Sequence, residues 1–145
     1  MDKPFYDFKI LDEALRFEFE SVGGQKNIKK IIRYAETDIA NLYNLSMVDL
    51  LDNGLESDIS VSNNQDMEMI LATVFQTVGT FLRINPARQV FFMGSTPTRT
   101  RLYQMAINHE LNEASKLFEI KGLTDDGFEL FIANKTYQAF VIRLK

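Results

Sequence analysis

The sequence predicts an α+β fold, a mostly antiparallel sheet of about six to seven strands with two long helices packed on one face. Three observations predict it: strict two-residue alternation near the start, helical spacing over residues 67–82, and an element order without regular strand-helix alternation. That order is roughly four strands, helix, strand, helix, three strands. At 145 residues and 46% hydrophobic, with no repeat, linker or low-complexity segment, residues 1–145 form a single domain whose core needs no staples.

The stretch "LRFEFESV" sets Leu15, Phe17 and Phe19 against Arg16, Glu18 and Glu20, as a half-buried strand requires. Gly23-Gly24 then turns the chain, and "NIKKIIRYA" completes a hairpin with Ile28, Ile32 and Tyr34 on one face. Glu18 and Glu20 can reach Lys29 or Arg33 across it. "IANLYNLSMVDL" is the third strand, with Ile39, Tyr43, Leu45 and Met47 sharing a face. Asp52-Asn53-Gly54 marks a turn, and "DISVS" a short strand after it.

Met67, Ile70, Leu71, Val74, Phe75, Val78, Phe81 and Leu82 follow helical spacing. Ser62 and Gln65 offer a capping box, and Asn85-Pro86 stops the helix. Its polar surface, Thr73, Gln76, Thr77 and Thr80 beside Ala72 and Gly79, is a small-residue strip that another helix could approach, either within the chain or across a homodimer contact. "RQVFFMG" is apolar on both faces, as a central strand should be. A second helix then runs from the N-cap Thr96, with Pro97 in its first turn, to about Phe118. "FEIKGL", "FELFIA" and "YQAFVIRL" are the closing strands, the last two joined through Asn134-Lys135.

The chain contains no cysteine, which removes disulfides and thiolate chemistry and fits a reducing compartment, so a cytoplasmic location is expected. No signal-peptide pattern opens it and no run of ~18 apolar residues occurs, so no membrane partner is expected. The net charge of −4 argues against generic attraction to polyanions. The charges are also segregated. Between Tyr34 and Leu82 there are eight acids and no Lys or Arg, whereas between Met69 and His109 there is no acid and the cations are Arg83, Arg88, Arg99 and Arg101. The two segments are expected to pair with each other or to face solvent.

The stretch "VFFMGSTPTRTRLY" concentrates hydroxyls and positive charge where a strand gives way to a helix. A helix N-terminus presents free N–H groups and partial positive charge to an anion. Ser95, Thr96, Thr98 and Thr100 could add donors, and Arg99 and Arg101 are electrostatically misplaced in a first turn unless something negative neutralises them. At ~100° per residue the two arginines point about 200° apart. Arg99 falls within the buried stripe of Leu102, Tyr103, Ala106, Ile107, Leu111, Ala114, Leu117 and Phe118; Arg101 falls opposite. Arg99 therefore needs a partner from another element, and the acidic segment can supply one. The stretch is either an internal anchor or an anion site made of Ser95, Thr96, Thr98, Arg99 and Arg101.

Several enzyme templates fail. Gly94-Ser95 before a helix is similar to the opening of the nucleotidyltransferase motif, but no D-x-D pair follows, the next acid being Glu110. The second glycine and the lysine of a phosphate-binding loop are absent, and Ser95 is not in G-x-S-x-G. His109 is the sole histidine and lies at the edge of the polar helix face, so histidine metal clusters are excluded. Asp49, Asp52, Glu56 and Asp58 could surround a hard cation, yet their spacing is not that of an EF-hand loop, and no cofactor is expected.

"NLYNLSMVDL", "DISVSNNQDMEMILATVFQTV", "FFMGSTPTRTRLYQMAI" and "YQAFVIRLK" together resemble a family of small uncharacterised bacterial proteins, a domain of unknown function. The G-S-T-x-x-R-T-R-L-Y block is the most specific part. The resemblance spans the chain from about Phe17 and implies one intact, soluble bacterial domain, without bringing catalytic residues.

Three function classes remain. The first is a non-catalytic binding module whose turn at 94–101 engages an anion, such as a phosphate-bearing ligand or nucleic-acid phosphate. The second is a ribonuclease-like enzyme of the toxin kind, with Arg99 and Arg101 on the phosphate and Tyr103 or Glu110 moving the proton. In the third, a structural or interaction protein, the turn only anchors the fold. One histidine and no carboxylate cluster near the turn place the enzyme last.

Overall fold

The computed structural model describes residues 4–23, 27–57, 66–94 and 96–145, with Glu110 described in its backbone only. The fold is α+β with a mostly antiparallel sheet. The described residues contain nine strands rather than six to seven, and a three-residue 3-10 turn in addition to two long α-helices.

Strands β1 (Lys9–Leu11), β2 (Arg16–Ser21), β3 (Ile28–Glu36) and β4 (Leu42–Leu50) form an antiparallel meander. The alternation in β2 is observed, Phe17 and Phe19 facing the core and Glu20 facing solvent. Leu15 does not share that face. It ends the 3-10 turn Asp12–Ala14, whose residues take positive φ, and is left 36% exposed. Ile39 likewise lies in the bend before β4 and is exposed, whereas Tyr43, Leu45 and Met47 do share the inner face. The short β1 carries three exposed residues, so no apolar pattern marked it. Strand β5 (Glu56–Ser57) pairs with the end of β4. The expected "DISVS" strand, Asp58, the Ser62-Gln65 capping box and Gly24 of the first turn lie outside the described residues.

Helix α1 (Met67–Ile84) leads into β6 (Gln89–Phe92), which pairs parallel to β4. Helix α2 (Pro97–Leu117) leads into β7 (Phe118–Thr124), followed by β8 (Gly127–Leu130) and β9 (Phe140–Leu144). The sheet order is β1, β2, β3, β4, β6, β9, β7, β8. Because β6 and β7 both run antiparallel to β9, they are parallel to each other, and α2 carries the chain over the position β9 occupies. The start of α2 is thereby held at the end of a central strand.

Both helices cover one face. Tyr43 and Val90 are register neighbours on β4 and β6; Tyr43 meets Phe81 of α1 edge-on at 5.0 Å, while Phe92, two residues beyond Val90, meets Tyr103 of α2 at 5.8 Å. Tyr34 stacks on Phe81 at 4.1 Å and donates or accepts a hydrogen bond with Thr77 at 2.9 Å. Helix α1 is 18 residues long and apolar enough to cross a bilayer by length and composition, but more than half of it is buried in this core. Its small-residue strip is partly occupied from within the chain. Thr73 accepts the Tyr6 amide at 2.9 Å, Thr77 faces Tyr34, and the Arg83 guanidinium lies 3.2 Å from where a Cβ on Gly79 would stand. At Thr73 and Thr77 the neighbour of that strip is therefore an extended segment and a strand residue, while Ala72 lines a groove shared with α2.

The expected hairpin between the last two strands is not formed. β8 pairs only with β7, and β7 separates it from β9. Local turn chemistry decides this: the Thr124 hydroxyl donates to the Gly127 carbonyl at 3.0 Å and accepts the Asp126 amide at 3.1 Å, and Gly127 takes φ +115°. The segment 131–139 then returns to β9 beneath the start of α2.

Candidate binding cleft

The transition from β6 to α2 is built by side chains that satisfy their own backbone. Thr96 is the N-cap, its Oγ1 accepting the Arg99 amide at 3.2 Å, with Pro97 in the first turn. Thr100 is buried; its Oγ1 accepts the Gly94 amide at 3.0 Å and donates to the Thr96 carbonyl at 3.2 Å. Gly94 has no room for a side chain, since a Cβ would lie 2.6 Å from the Arg99 Cβ. The Thr96 and Thr100 hydroxyls thus take part in closing the turn itself. Ser95 lies outside the described residues. Thr98 is exposed, and no partner holds its hydroxyl among the described residues.

The two arginines separate as the helix count predicts. Arg99 is half-buried rather than fully buried, engaged within the chain, and its charge acts on the Tyr103 phenol. Burial pushes that phenol's pKa up, and Arg99 partly offsets the rise. Tyr103 packs against Phe92 and does not line the cleft. Arg101 is exposed and has no ion-pair partner among the described residues.

Arg101 opens into a cleft of about 520 Å³ between α2 and the 136–138 segment. Met93, Pro97 and Met105 give it apolar walls, and Arg101 is the charged residue of its lining. Gln104 fastens the two sides: its amide nitrogen donates to the Lys135 carbonyl, and its amide oxygen accepts the Tyr137 amide at 3.1 Å. Asn108 adds a weaker tie, accepting the Asn134 amide at 3.4 Å. Tyr137 is buried against β7, where Gly122 admits its ring; a Cβ at Gly122 would lie 2.6 Å from Tyr137 Cε1. The phenol donates to Glu129 at 2.8 Å, and Lys135 pairs with the same carboxylate at 2.8 Å. That carboxyl is held below its usual pKa by the Lys135 and Tyr137 hydrogen bonds.

Gln104, Met105 and Asn108 were legible as neighbours of Arg101 on one helix face, at i+3, i+4 and i+7. Nothing in their types marked them, because Gln and Asn on a helix are usually solvated. The opposite wall comes from residues more than thirty positions later, brought in by the β7–β9 pairing.

Three acids of the acidic segment serve other elements. Asp49 pairs with Lys30 at 2.5 Å, both side chains being nearly inaccessible; Glu56 pairs with Arg33 at 2.5 Å; Asp66 accepts from Tyr6 and from Ser21. Among the described residues no acid pairs with Arg88, whose Nε and Nη1 are buried without a hydrogen-bond partner. Its guanidinium lies over the Phe81 and Tyr43 rings, 4.5 and 4.9 Å from their centres. Asp49 and Glu56 are thus committed to cations of the sheet, and no cluster able to hold a metal occurs among the described residues. His109 is exposed, at the rim of a second, apolar groove between the helices.

No curated protein and no solved structure matches the chain. A family model described only as a family of unknown function matches residues 2–145, nearly the whole sequence and all of the elements that build the cleft. The chain belongs to that family, DUF6934.

Proposed function

We propose that the protein is a non-catalytic binding module whose cleft beside α2 takes the anionic group of a small ligand. One observation carries this: Arg101 supplies positive charge to a cleft of ligand size with no acid in its lining and no ion-pair partner of its own among the described residues. An unneutralised cation in the first turns of a helix is electrostatically unfavourable, and a bound anion removes that cost. The anion approaches Arg101 from the cleft side, with Arg99 serving the fold.

A nucleic-acid phosphate is less well supported, because single strands are held by exposed aromatic faces beside the cations. Here Tyr137 is buried and Tyr103 is packed on Phe92. The ribonuclease alternative is less well supported, since Tyr103 does not line the cleft and burial pushes its phenol pKa up; the Glu110 side chain lies outside the described residues.

The test is calorimetric titration of the protein and its Arg101→Ala variant with inorganic phosphate, sulfate and a short single-stranded oligonucleotide. Phosphate or sulfate should bind the parent, and Arg101→Ala should weaken binding about tenfold while the melting temperature stays unchanged. Equal anion affinity in parent and variant would overturn the proposal. Oligonucleotide binding that collapses with salt would instead favour the nucleic-acid reading.

A further inference from the structure

The cleft does not end at Arg101. On the other side of the same helical turn, α1 and α2 leave a groove of about 260 Å³, walled by Leu71 and Phe75 from α1 and by Leu102 and Ala106 from α2. Met105 lines both cavities and is 53% exposed. Along α2, Arg101, Met105 and His109 follow one another at four-residue intervals, spanning about 12 Å at 1.5 Å per residue. The result is a path with a cation at one end and an almost wholly apolar stretch beyond it. Only Glu68 and His109, both exposed, bring polar groups to the groove, at its rim.

The geometry points to an amphipathic anion as the ligand: a carboxylate or phosphate head at Arg101 and an unbranched alkyl tail passing Met105 into the α1–α2 groove. The inference rests on the anion reading of Arg101 and adds the class of molecule attached to the anion. Two features select this class over a compact polar ligand. The groove is lined by aliphatic and aromatic carbon with no buried donor or acceptor to orient a sugar or base, so what it can recognise is apolar surface. The residue common to groove and cleft is Met105, whose unbranched thioether chain can change rotamer to let a chain pass. Charge complementarity fixes the direction, because the head must lie at Arg101 and not at Glu68.

The experiment titrates the full chain with inorganic phosphate and with butyl, hexyl and octyl phosphate, and with octanoate to separate phosphate from carboxylate heads. Affinity should rise along the alkyl series, by up to about fourfold per methylene where burial is complete. Arg101→Ala should weaken every member by a similar factor. Leu102→Gln and Met67→Gln, at partly buried positions that line the groove but not the cleft, should flatten the dependence on chain length without changing affinity for inorganic phosphate. Phosphate binding with no gain along the series would overturn this inference and leave the anion site standing. A chain-length dependence untouched by both Gln variants would place the tail elsewhere and also overturn it. Binding by no member, inorganic phosphate included, would remove both proposals.

Discussion

Gly94 and Thr100 are locked together across the start of α2. The Gly94 amide donates to Thr100 Oγ1 at 3.0 Å, and a Cβ on Gly94 would stand 2.6 Å from both the Cβ and the carbonyl carbon of Arg99. The atoms it would strike belong to a helical turn and cannot rotate away. Gly94→Ala should therefore destabilise the fold by about 3 kcal/mol. Urea unfolding would measure it, and an unchanged midpoint would mean that α2 can back away from β6.

Thr96 and Thr98 separate structural from available hydroxyls in one turn. Thr96→Ala removes the cap on the Arg99 amide and should cost about 1 kcal/mol. Thr98 is exposed, and Thr98→Ala should change stability by less than about 0.5 kcal/mol. Equal denaturation midpoints for the two variants would contradict the assignment of Thr96 as the cap.

Lys30 and Asp49 form an ion pair on the inner face of the sheet, with 3% and 5% of their side chains exposed. Removing the carboxylate strands a buried ammonium, so Asp49→Ala should cost about 3–5 kcal/mol. Replacing both partners by apolar residues, Lys30→Met with Asp49→Leu, should recover most of the loss. A double variant no more stable than Asp49→Ala would show that the pair contributes beyond mutual neutralisation.

Glu129 ties the lower wall of the cleft to pH. Lys135 first, then Tyr137, stabilises its carboxylate and depresses its folded-state pKa. A depressed carboxyl pKa contributes stability that is complete above the unfolded value and is lost as pH falls through the folded one. Amide exchange in residues 131–137 should accelerate on acidification below the ordinary glutamate pKa of about 4.3, after correction for the intrinsic rate. Glu129→Gln should abolish that extra acceleration. Retention of the same pH dependence in the variant would assign it to another group.

Local pattern alone determined much of this protein. Alternation in β2, helical spacing in both α-helices, the Asn85-Pro86 stop, the Thr96-Pro97 start and the central place of β6 follow from short-range sterics, hydrogen bonding and burial periodicity, which act within one element and leave their mark on its own residues. The opposite directions of Arg99 and Arg101 follow likewise from helix geometry. Tertiary structure alone decided what lies across from each element. One pairing was local: the Thr124 and Gly127 turn sets β7 against β8 in place of the expected hairpin at Asn134-Lys135, and the Tyr137 ring seated over Gly122 then holds the returning segment. The Thr100 hydroxyl became internal because the end of β6 approaches the first turn of α2 closely enough to use it. The cleft itself joins one face of α2 to a segment thirty residues later. Such a pairing depends on which surfaces meet, and no residue type or spacing on either side records it.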